Sequence, residues 1–400
     1  MIATTRSSTI TTRKRPTIMG TPTFQDVFKQ IRANFSLMGV PEDKTKISVK
    51  FYLMAMSLTL ILVEEASFFV SKMAPENFLE LTGLAPCLCV GILSILKIVP
   101  VAMKRVTVFS LAERLEKLSA EILNDPMQTD VVRHDISLLQ TLIKYYFVLN
   151  AVLISVYNFS TPLYILYHYI MTKEEIFNLP YAIIVPFSTE RWTTWTLVYV
   201  HSIISGFICV LFFTTVDALY FILTSYVCNI FAVLSEEIKN LEKPTYDTLV
   251  KIVKKHLTAL ELADDLEAIF TLPNFFNVVV GSIEICALGF NLMIGDWSNV
   301  PGCMLFIFSV LFQLFVMSVF GENLIRASTE IGESVYACDW YKMNRQSKKL
   351  LLLVMTRSRV PKRLTAFKYS VICYEGFTAM ISTSWSYFTI LRTVYSPEEQ

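Results

Sequence analysis

Seven long apolar stretches are the feature that most constrains how this 400-residue chain can fold. They cover approximately residues 47–71, 78–102, 145–170, 192–227, 272–294, 302–325 and 369–394. A helix needs about 20 apolar residues to cross the roughly 30 Å hydrocarbon core of a bilayer, and most of the stretches reach that length. The sequence therefore predicts an all-α polytopic membrane protein with seven transmembrane helices.

Lysine and arginine residues lie almost entirely on one side of these stretches. Segments 1–50, 97–144, 228–268 and 326–368 contain 31 of the 35 basic residues. Because positively charged loops stay in the cytoplasm, this asymmetry predicts a cytoplasmic N-terminus and an extracellular C-terminus. That orientation is the reverse of the one in G-protein-coupled receptors.

The same pattern predicts how the chain is organised. Residues 1–46 form a cytoplasmic N-terminal arm, residues 47–394 a seven-helix transmembrane domain, and residues 395–400 an extracellular tail. Within the domain, segments 103–144, 228–268 and 326–368 carry apolar residues at helical spacing and are predicted to form a cytoplasmic helical anchor. The apolar sides of these helices need a partner. The partner is either another protein segment or the membrane surface.

No residue arrangement typical of catalysis or metal binding is present in the sequence. The four histidines, His134, His168, His201 and His256, are far apart, and there is no GxSxG, P-loop or CxxC pattern. We therefore expect no enzyme activity, no cofactor and no metal site. We also expect no nucleic-acid partner, although the net charge of +1 argues neither for nor against one. Three acidic residues, Asp217, Glu284 and Glu375, fall in apolar stretches. An ionisable residue at that depth usually faces a cavity, a partner or water.

The last apolar stretch has one small, polar face. At 100° per residue, Thr378, Ala379, Ser382, Ser386, Thr389 and Thr393 lie within about 60° of the line through Glu375, with Ile390 at the edge. Small residues allow helices to pack closely, which is one interpretation. A water-filled pore lined by hydroxyl groups is the other. The helical geometry favours neither.

Aromatic and polar residues share faces in the outer halves of other stretches. They are Phe78 and Thr82 in the second stretch, Ser155, Asn158, Phe159 and Pro162 in the third, Trp195, Tyr199 and Ser202 in the fourth, and Phe306 in the sixth. Such faces can enclose an apolar ligand and orient it with one or two polar groups. They also serve as ordinary packing surfaces between helices, so both interpretations stay open.

The C-terminal third resembles the insect odorant receptors. The similarity runs through GENLIRASTEIGESVYACDWY (321–341), SKKLLLLVMTRSRVP (347–361) and SWSYFTILRTVY (384–395). The positions that align are Gly321–Glu322, Ser328, Tyr336, Trp340–Tyr341, Pro361 and Ser386–Tyr387. The N-terminal two-thirds match the family only in hydropathy.

The resemblance implies a subunit of an odorant-gated, non-selective cation channel in the plasma membrane of olfactory sensory neuron dendrites. Its partners would be the odorant receptor co-receptor in a hetero-oligomer, expected to be a tetramer, together with a small volatile ligand, membrane lipid, and the monovalent and divalent cations that permeate. Subunits of the family associate through the cytoplasmic anchor. We therefore expect Leu351→Ala to affect mainly assembly.

Two sites follow from the resemblance. The seventh span lines the pore in this family, which implies pore-lining roles for Glu375, Ser382, Ser386, Thr389, Ile390, Thr393 and Val394, with the narrow part near the last three. The odorant site of the family lies in the outer half among the second, third, fourth and sixth spans. That placement implies that the ten residues of the aromatic faces, from Phe78 to Phe306, line the pocket.

Two departures refine the resemblance. Gustatory receptors end in Thr-Tyr, five residues and Gln-Phe, whereas this chain has Ser386-Tyr387, five residues and Thr393-Val394. The co-receptor has a large insertion in its second inner loop, for which segment 228–268 is too short. The sequence thus predicts a tuning subunit. A gustatory-type channel and a secondary transporter of small apolar molecules are the alternatives.

Overall fold

The computed structural model describes residues 21–73, 78–189, 191–242, 244–294 and 300–395, without the side chains of 78–83, 294, 301, 391, 394 and 395. The helices are α1 (Phe24–Met38), α2 (Val49–Ser71), α3 (Phe78–Met103), α4 (Arg105–Leu123), α5 (Pro126–Thr172), α6 (Trp192–Lys239), α7 (Tyr246–Ile294), α8 (Val300–Ala337), α9 (Arg345–Ser358) and α10 (Tyr374–Tyr395). Strands β1 (Thr365–Ala366) and β2 (Ser370–Val371) form an antiparallel hairpin. The all-α prediction is confirmed apart from this hairpin.

Six helices in the described part of the chain are long and apolar enough to cross a membrane: α2, α3, α5, α6, α7 and α8. They coincide with the first six apolar stretches. The seventh stretch, 369–394, begins in the hairpin, and α10 starts only at Tyr374. Hydroxyl-bearing residues dilute the apolar character of α10, and this helix is not one of the six. Seven crossings and the orientation of the termini therefore stay predictions.

The helices define two ends of the bundle. We call the end at which α2 and α5 finish and α3 and α6 start the outer end, and the opposite end the inner end. Helices α5, α6 and α7 contain 47, 48 and 49 residues. At about 1.5 Å per residue each is about 70 Å long, more than twice the hydrocarbon thickness. In α5 and α7 much of the excess length lies at the inner end, in the predicted anchor segments, whereas only residues 228–239 of α6 lie there.

The N-terminal arm contains a helix that the sequence analysis did not identify. A capping box starts α1, in which the Thr23 side chain accepts from the Asp26 backbone N–H and the Asp26 side chain accepts from the Thr23 backbone N–H. One face of α1 is buried: Phe24, Val27, Phe28, Ile31, Phe35 and Met38. This i, i+3, i+4, i+7 spacing was the available signal in the sequence. Residues 1–20 of the predicted arm lie outside the described residues.

The inner ends of the helices pack against one another. The buried residues include Val108, Leu111 and Leu115 of α4 and Leu249, Ile252 and Leu260 of α7. Ion pairs connect neighbouring segments, among them Arg114–Asp265 at 2.8 Å and Lys239–Glu330 at 2.9 Å. Burial and the nearby charge of Arg357 lower the pKa of His256 to about 4, so this imidazole is neutral at physiological pH. Apolar packing within the chain therefore uses much of the anchor's apolar surface.

Helix α9 has one buried and one exposed apolar side. Leu351 and Val354 are buried inside the chain, whereas Leu352 and Leu353 are exposed. Leu351→Ala would thus open a cavity within this subunit, which changes the expectation that it affects mainly assembly. The leucines available to a neighbouring subunit are Leu352 and Leu353.

The hairpin connects the inner-end helices to α10 by a tight turn. Phe367 and Lys368 have φ values of 54° and 61°, in the left-handed region that side chains other than glycine rarely adopt. After β2 the chain passes against α8 at Gly321, where a Cβ would lie 2.0 Å from the Ile372 carbonyl oxygen. Only glycine fits there, which gives a packing reason for one residue of the family-like motif.

Candidate functional site

Five helices meet at a buried ionic cluster inside the bundle. Lys97 of α3 forms an ion pair with Asp217 of α6, and their side chains are 0% and 1% exposed. Tyr146 of α5 and Gln313 of α8 donate to Oδ2 of Asp217 at 2.8 and 2.9 Å. Gln313 Nε2 is also 3.5 Å from Oδ1 of Asn277 on α7. All charged atoms of this cluster therefore have partners.

The cluster fixes the relative positions of its helices because separating its members has a high free-energy cost. An unpaired charge in a low-dielectric interior costs several kcal/mol, so breaking one contact strands the other partner. The sequence analysis named Asp217 but missed Lys97, which it counted with the inner loop at 97–144. A single lysine inside the apolar stretch 78–102 was the available signal.

The other two acids have different surroundings. Glu284 is buried in α7, and its Oε1 has no hydrogen-bond partner within the described part of the chain. Glu375 is exposed at the start of α10. No hydrogen bond joins Asp217, Glu284 and Glu375 to one another in the residues the structure describes.

Three predicted pocket residues converge on the outer loop that follows α5. Tyr199 donates to the Asn158 carbonyl oxygen at 3.1 Å, and the Trp195 and Tyr199 rings stack with centroids 4.8 Å apart. Trp195 Nε1 donates to the carbonyl oxygen of Asn178 in the loop at 2.9 Å. From the same loop, Tyr181 donates to Asn158 Oδ1 at 3.1 Å. These residues hold the loop against α5 and α6.

The other predicted pocket residues do not gather around one cavity. Phe159 is exposed on the surface of α5, while Ser155, Pro162 and Phe306 are half-buried. Ser202 is buried, but its hydroxyl donates to the Val198 carbonyl one turn earlier on α6. The side chains of Phe78 and Thr82 lie outside the described residues. The predicted pocket therefore stays a prediction, of which the structure brings together only the Asn158, Trp195 and Tyr199 part.

A glycine on α6 makes room for the loop tyrosine. A Cβ at Gly206 would lie 2.5 Å from the Tyr181 hydroxyl oxygen and 3.1 Å from Asn158 Nδ2. Any larger residue would displace Tyr181. The loop is also tied to α2, because the Ile184 backbone N–H donates to the Glu64 carbonyl oxygen at 3.4 Å. The outer loop is thus attached to α2, α5 and α6.

Beside Tyr181 a cleft lies between α2, α3, α5 and the outer loop. Its enclosed space is about 20 Å³, which is room for about one water molecule. We call it the outer cleft and define it by its lining: Glu65, Phe68, Phe69, Leu84, Cys87, Leu88, Tyr157, Tyr181 and Ala182. It differs from the predicted pocket because α2 replaces α6 and α8 as a wall.

Glu65 is the charged residue of the outer cleft, and the sequence analysis did not name it. Two adjacent acids, Glu64 and Glu65, interrupt the apolar run of α2 and were the available signal. The Glu65 carboxyl has no hydrogen-bond or ion-pair partner among the residues that the structure describes. A carboxyl at this depth is a candidate binding group.

Helix α10 has one packed face and one open face. Met380, Ser384 and Phe388 are buried, and Phe388 packs against Cys286 and Phe290 of α7. The predicted pore-lining residues Glu375, Ser382, Ser386, Thr389, Ile390 and Thr393 are all exposed. The side chain of Val394 lies outside the described residues. Within this chain, the predicted face is therefore free to meet water or other subunits.

Comparisons with known proteins agree with the fold. Residues 79–385 match the family model described as 7tm Odorant receptor. Putative odorant receptor 85d of Drosophila melanogaster is 26% identical over 355 residues, which cover 86% of each chain. Odorant receptor 13a of the same species is 29% identical over 248 residues, 55% of this chain and 59% of that protein.

A solved structure shares the arrangement of helices. The insect olfactory receptor OR5 from Machilis hrabei, in complex with eugenol, aligns with a TM-score of 0.76 and 12% identity, covering 93% of this chain and 99% of that one. At this identity the match establishes the fold, and the family model, which covers most of the chain, establishes the family. The resemblance found in the C-terminal third is confirmed, and the chain belongs to the 7tm odorant receptor family.

Proposed function

We propose that this chain is a ligand-binding tuning subunit of an odorant-gated, non-selective cation channel that it forms with the odorant receptor co-receptor. Its ligand is a small volatile organic molecule, and its location is the plasma membrane of olfactory sensory neuron dendrites. Membership of the odorant receptor family supports the receptor role. The short segment 228–268 supports a tuning subunit over the co-receptor.

The open polar face of α10 is the observation that carries the channel assignment. Hydroxyl groups facing lipid have no partners there except backbone carbonyls of their own helix. Ser386 and Thr393 donate to the carbonyls of Ser382 and Thr389 at 2.9 Å, and their oxygens can still accept from water. Around the axis of a symmetric oligomer such faces line a wet path for ions.

Ligand binding opens such a channel through a difference in affinity. A ligand that binds the open state more tightly than the closed state shifts the equilibrium by the ratio of the two affinities. The outer cleft lies among α2, α3 and α5, while α10 packs on α7 and α8. The helices of the ionic cluster connect these two regions.

Electrical recording tests the proposal. Cells that express this chain with the co-receptor should give volatile-evoked cation current without added GTP, and cells with either subunit alone provide the control. Current that disappears when G-protein signalling is blocked would contradict the channel assignment.

A charge placed on α10 tests the pore. Thr393→Asp should change the relative permeability of sodium and calcium, because the new carboxylate would face permeating ions. The control is Thr383→Asp, at an exposed position on an adjacent face of α10. The neighbouring Ser384 is buried and is therefore not used. Equal permeability ratios for Thr393→Asp and the unmodified channel would exclude Thr393 from the pore.

A further inference from the structure

Two buried polar groups toward the inner end of α6 have no partner in the described part of the chain. Tyr226 is 2% exposed and Asn229 is 4% exposed. The Tyr226 hydroxyl and Asn229 Nδ2 make no hydrogen bond to any described residue. The two residues are three positions apart and therefore lie on the same face of α6. A buried polar group without a hydrogen bond destabilises the folded state, so two on one face suggest a shared partner.

Both groups border one cavity, which we call the inner cavity. It lies between α4, α5 and α6, and its apolar walls include Leu115 and Ile122 of α4 and Val132 and Ile136 of α5. Its enclosed space is about 10 Å³, the smallest volume that holds one water molecule. The cavity therefore has room for one small molecule and no more.

Ser119 of α4 adds a third polar group to the lining. Its hydroxyl donates to the Glu116 carbonyl oxygen at 2.9 Å, which leaves the lone pairs of the hydroxyl oxygen free to accept. The Tyr226 ring packs edge-on against Phe24 of α1, with centroids 4.8 Å apart, and this contact holds the ring in place. Polar groups of α4 and α6 thus surround a space of the size of a water molecule.

The chemistry of the lining selects water over other small species. The described lining contains no charged residue. A cation needs several oxygen ligands, whereas Asn229 Nδ2 is a donor. An anion would be buried without a positive charge nearby, and an apolar atom would leave both groups of α6 unpaired. Water can accept from two donors and donate to an oxygen.

We propose that the inner cavity binds one water molecule, which accepts from the Tyr226 hydroxyl and Asn229 Nδ2 and donates to Ser119 Oγ. Three hydrogen bonds are the usual number for a buried water. The water connects α4 to α6 at the inner end of the bundle, where it contributes to the stability of the predicted anchor. The site does not depend on the proposed channel function, because its lining belongs to α4, α5 and α6.

The sign of a change in stability tests the water. Tyr226→Phe removes only the hydroxyl, and Asn229→Leu replaces the amide by an apolar group of similar size. With a bound water, each variant removes one hydrogen bond and leaves the other groups less well satisfied. The thermal unfolding midpoint of the purified complex with the co-receptor should then fall by about 1–3 °C. In a dry cavity each variant removes an unsatisfied group, so an unchanged or raised midpoint would contradict the proposal.

The double variant tests whether the two groups share one partner. Tyr226→Phe combined with Asn229→Leu makes this side of the cavity apolar, and its midpoint should fall by less than the sum of the two single losses. Strictly additive losses would show that the groups do not meet at one water. Tyr246→Phe is the control, because Tyr246 is exposed, and it should leave the midpoint unchanged.

A cryo-electron microscopy map that shows ordered waters provides the direct test on the same complex. It should contain one peak in the inner cavity, about 2.7–3.2 Å from both the Tyr226 hydroxyl oxygen and Asn229 Nδ2. The peak should be missing in the double variant. An empty cavity in a map with waters elsewhere in the anchor, or a direct bond from either side chain to another residue, would overturn the proposal.

Discussion

Two carboxyl groups on membrane-crossing helices of this chain have opposite surroundings. Asp217 accepts from Lys97, Tyr146 and Gln313, and its side chain is 1% exposed. Glu65 borders the outer cleft and has no partner among the described residues. The first acid holds α3, α5, α6 and α8 together within one subunit. The second is held by no described residue of the chain.

The comparison teaches that the partners of a membrane acid, rather than its depth, indicate its role. A charge that is paired and hydrogen-bonded is tolerated in a low-dielectric interior and mainly specifies which conformation forms. An acid without partners destabilises the folded protein. Its presence suggests that binding of another molecule offsets this free-energy cost. Substitutions at the two acids should therefore affect different measurements.

The largest expected effect is on stability at the ionic cluster. Asp217→Asn or Lys97→Met should each destabilise the receptor by about 3–5 kcal/mol, because each leaves the opposite charge buried and unpaired. Surface abundance and the thermal unfolding midpoint of the purified complex measure this loss. Asp130→Asn, at an exposed position of α5, is the control and should change neither.

The double variant distinguishes pairing from simple loss of side-chain packing. Lys97→Met combined with Asp217→Asn removes both charges, and it should be more stable than either single variant. Equal losses in the single and double variants would contradict the role of the pair.

A smaller effect is expected for one donor of the cluster. Tyr146→Phe removes one of three donors to Asp217 and should cost about 1.5 kcal/mol, since hydrogen bonds to charged groups lie in the range of about 1.5–3 kcal/mol. Tyr145→Phe is matched, because Tyr145 is the preceding residue and is exposed. The two unfolding midpoints should differ, with only that of Tyr146→Phe lowered. Identical midpoints would remove Tyr146 from the cluster.

The smallest expected effect concerns the position of the outer loop. Gly206→Ala places a Cβ 2.5 Å from the Tyr181 hydroxyl, so the tyrosine that walls the outer cleft must move. Sensitivity to the activating volatile should fall about fivefold, equivalent to about 1 kcal/mol, with little change in surface abundance. Gly302→Ala is the control, because no atom lies within 4 Å of a Cβ there. Unchanged sensitivity in Gly206→Ala would separate Tyr181 from ligand binding.

Residue patterns within single segments of the sequence predicted much of the fold but little of the candidate site. The first six apolar stretches correspond to α2, α3, α5, α6, α7 and α8, because crossing lipid imposes length and composition on each helix separately. The open face of α10 follows in the same way from spacing within one helix. The spacing on α5 was less informative: it grouped Asn158 with Phe159, although the first is buried against the outer loop and the second is exposed.

By itself the sequence determined which segments are apolar helices, where the positive charges lie and, through the motifs at 321–341 and 347–361, the family. These properties are local, so each can be recognised within one segment. Only the tertiary structure decided that Lys97 meets Asp217, 120 residues away, and that Glu65 faces a cleft closed by Tyr181. Which helix faces meet depends on the packing of all the helices together, and no single segment contains that information.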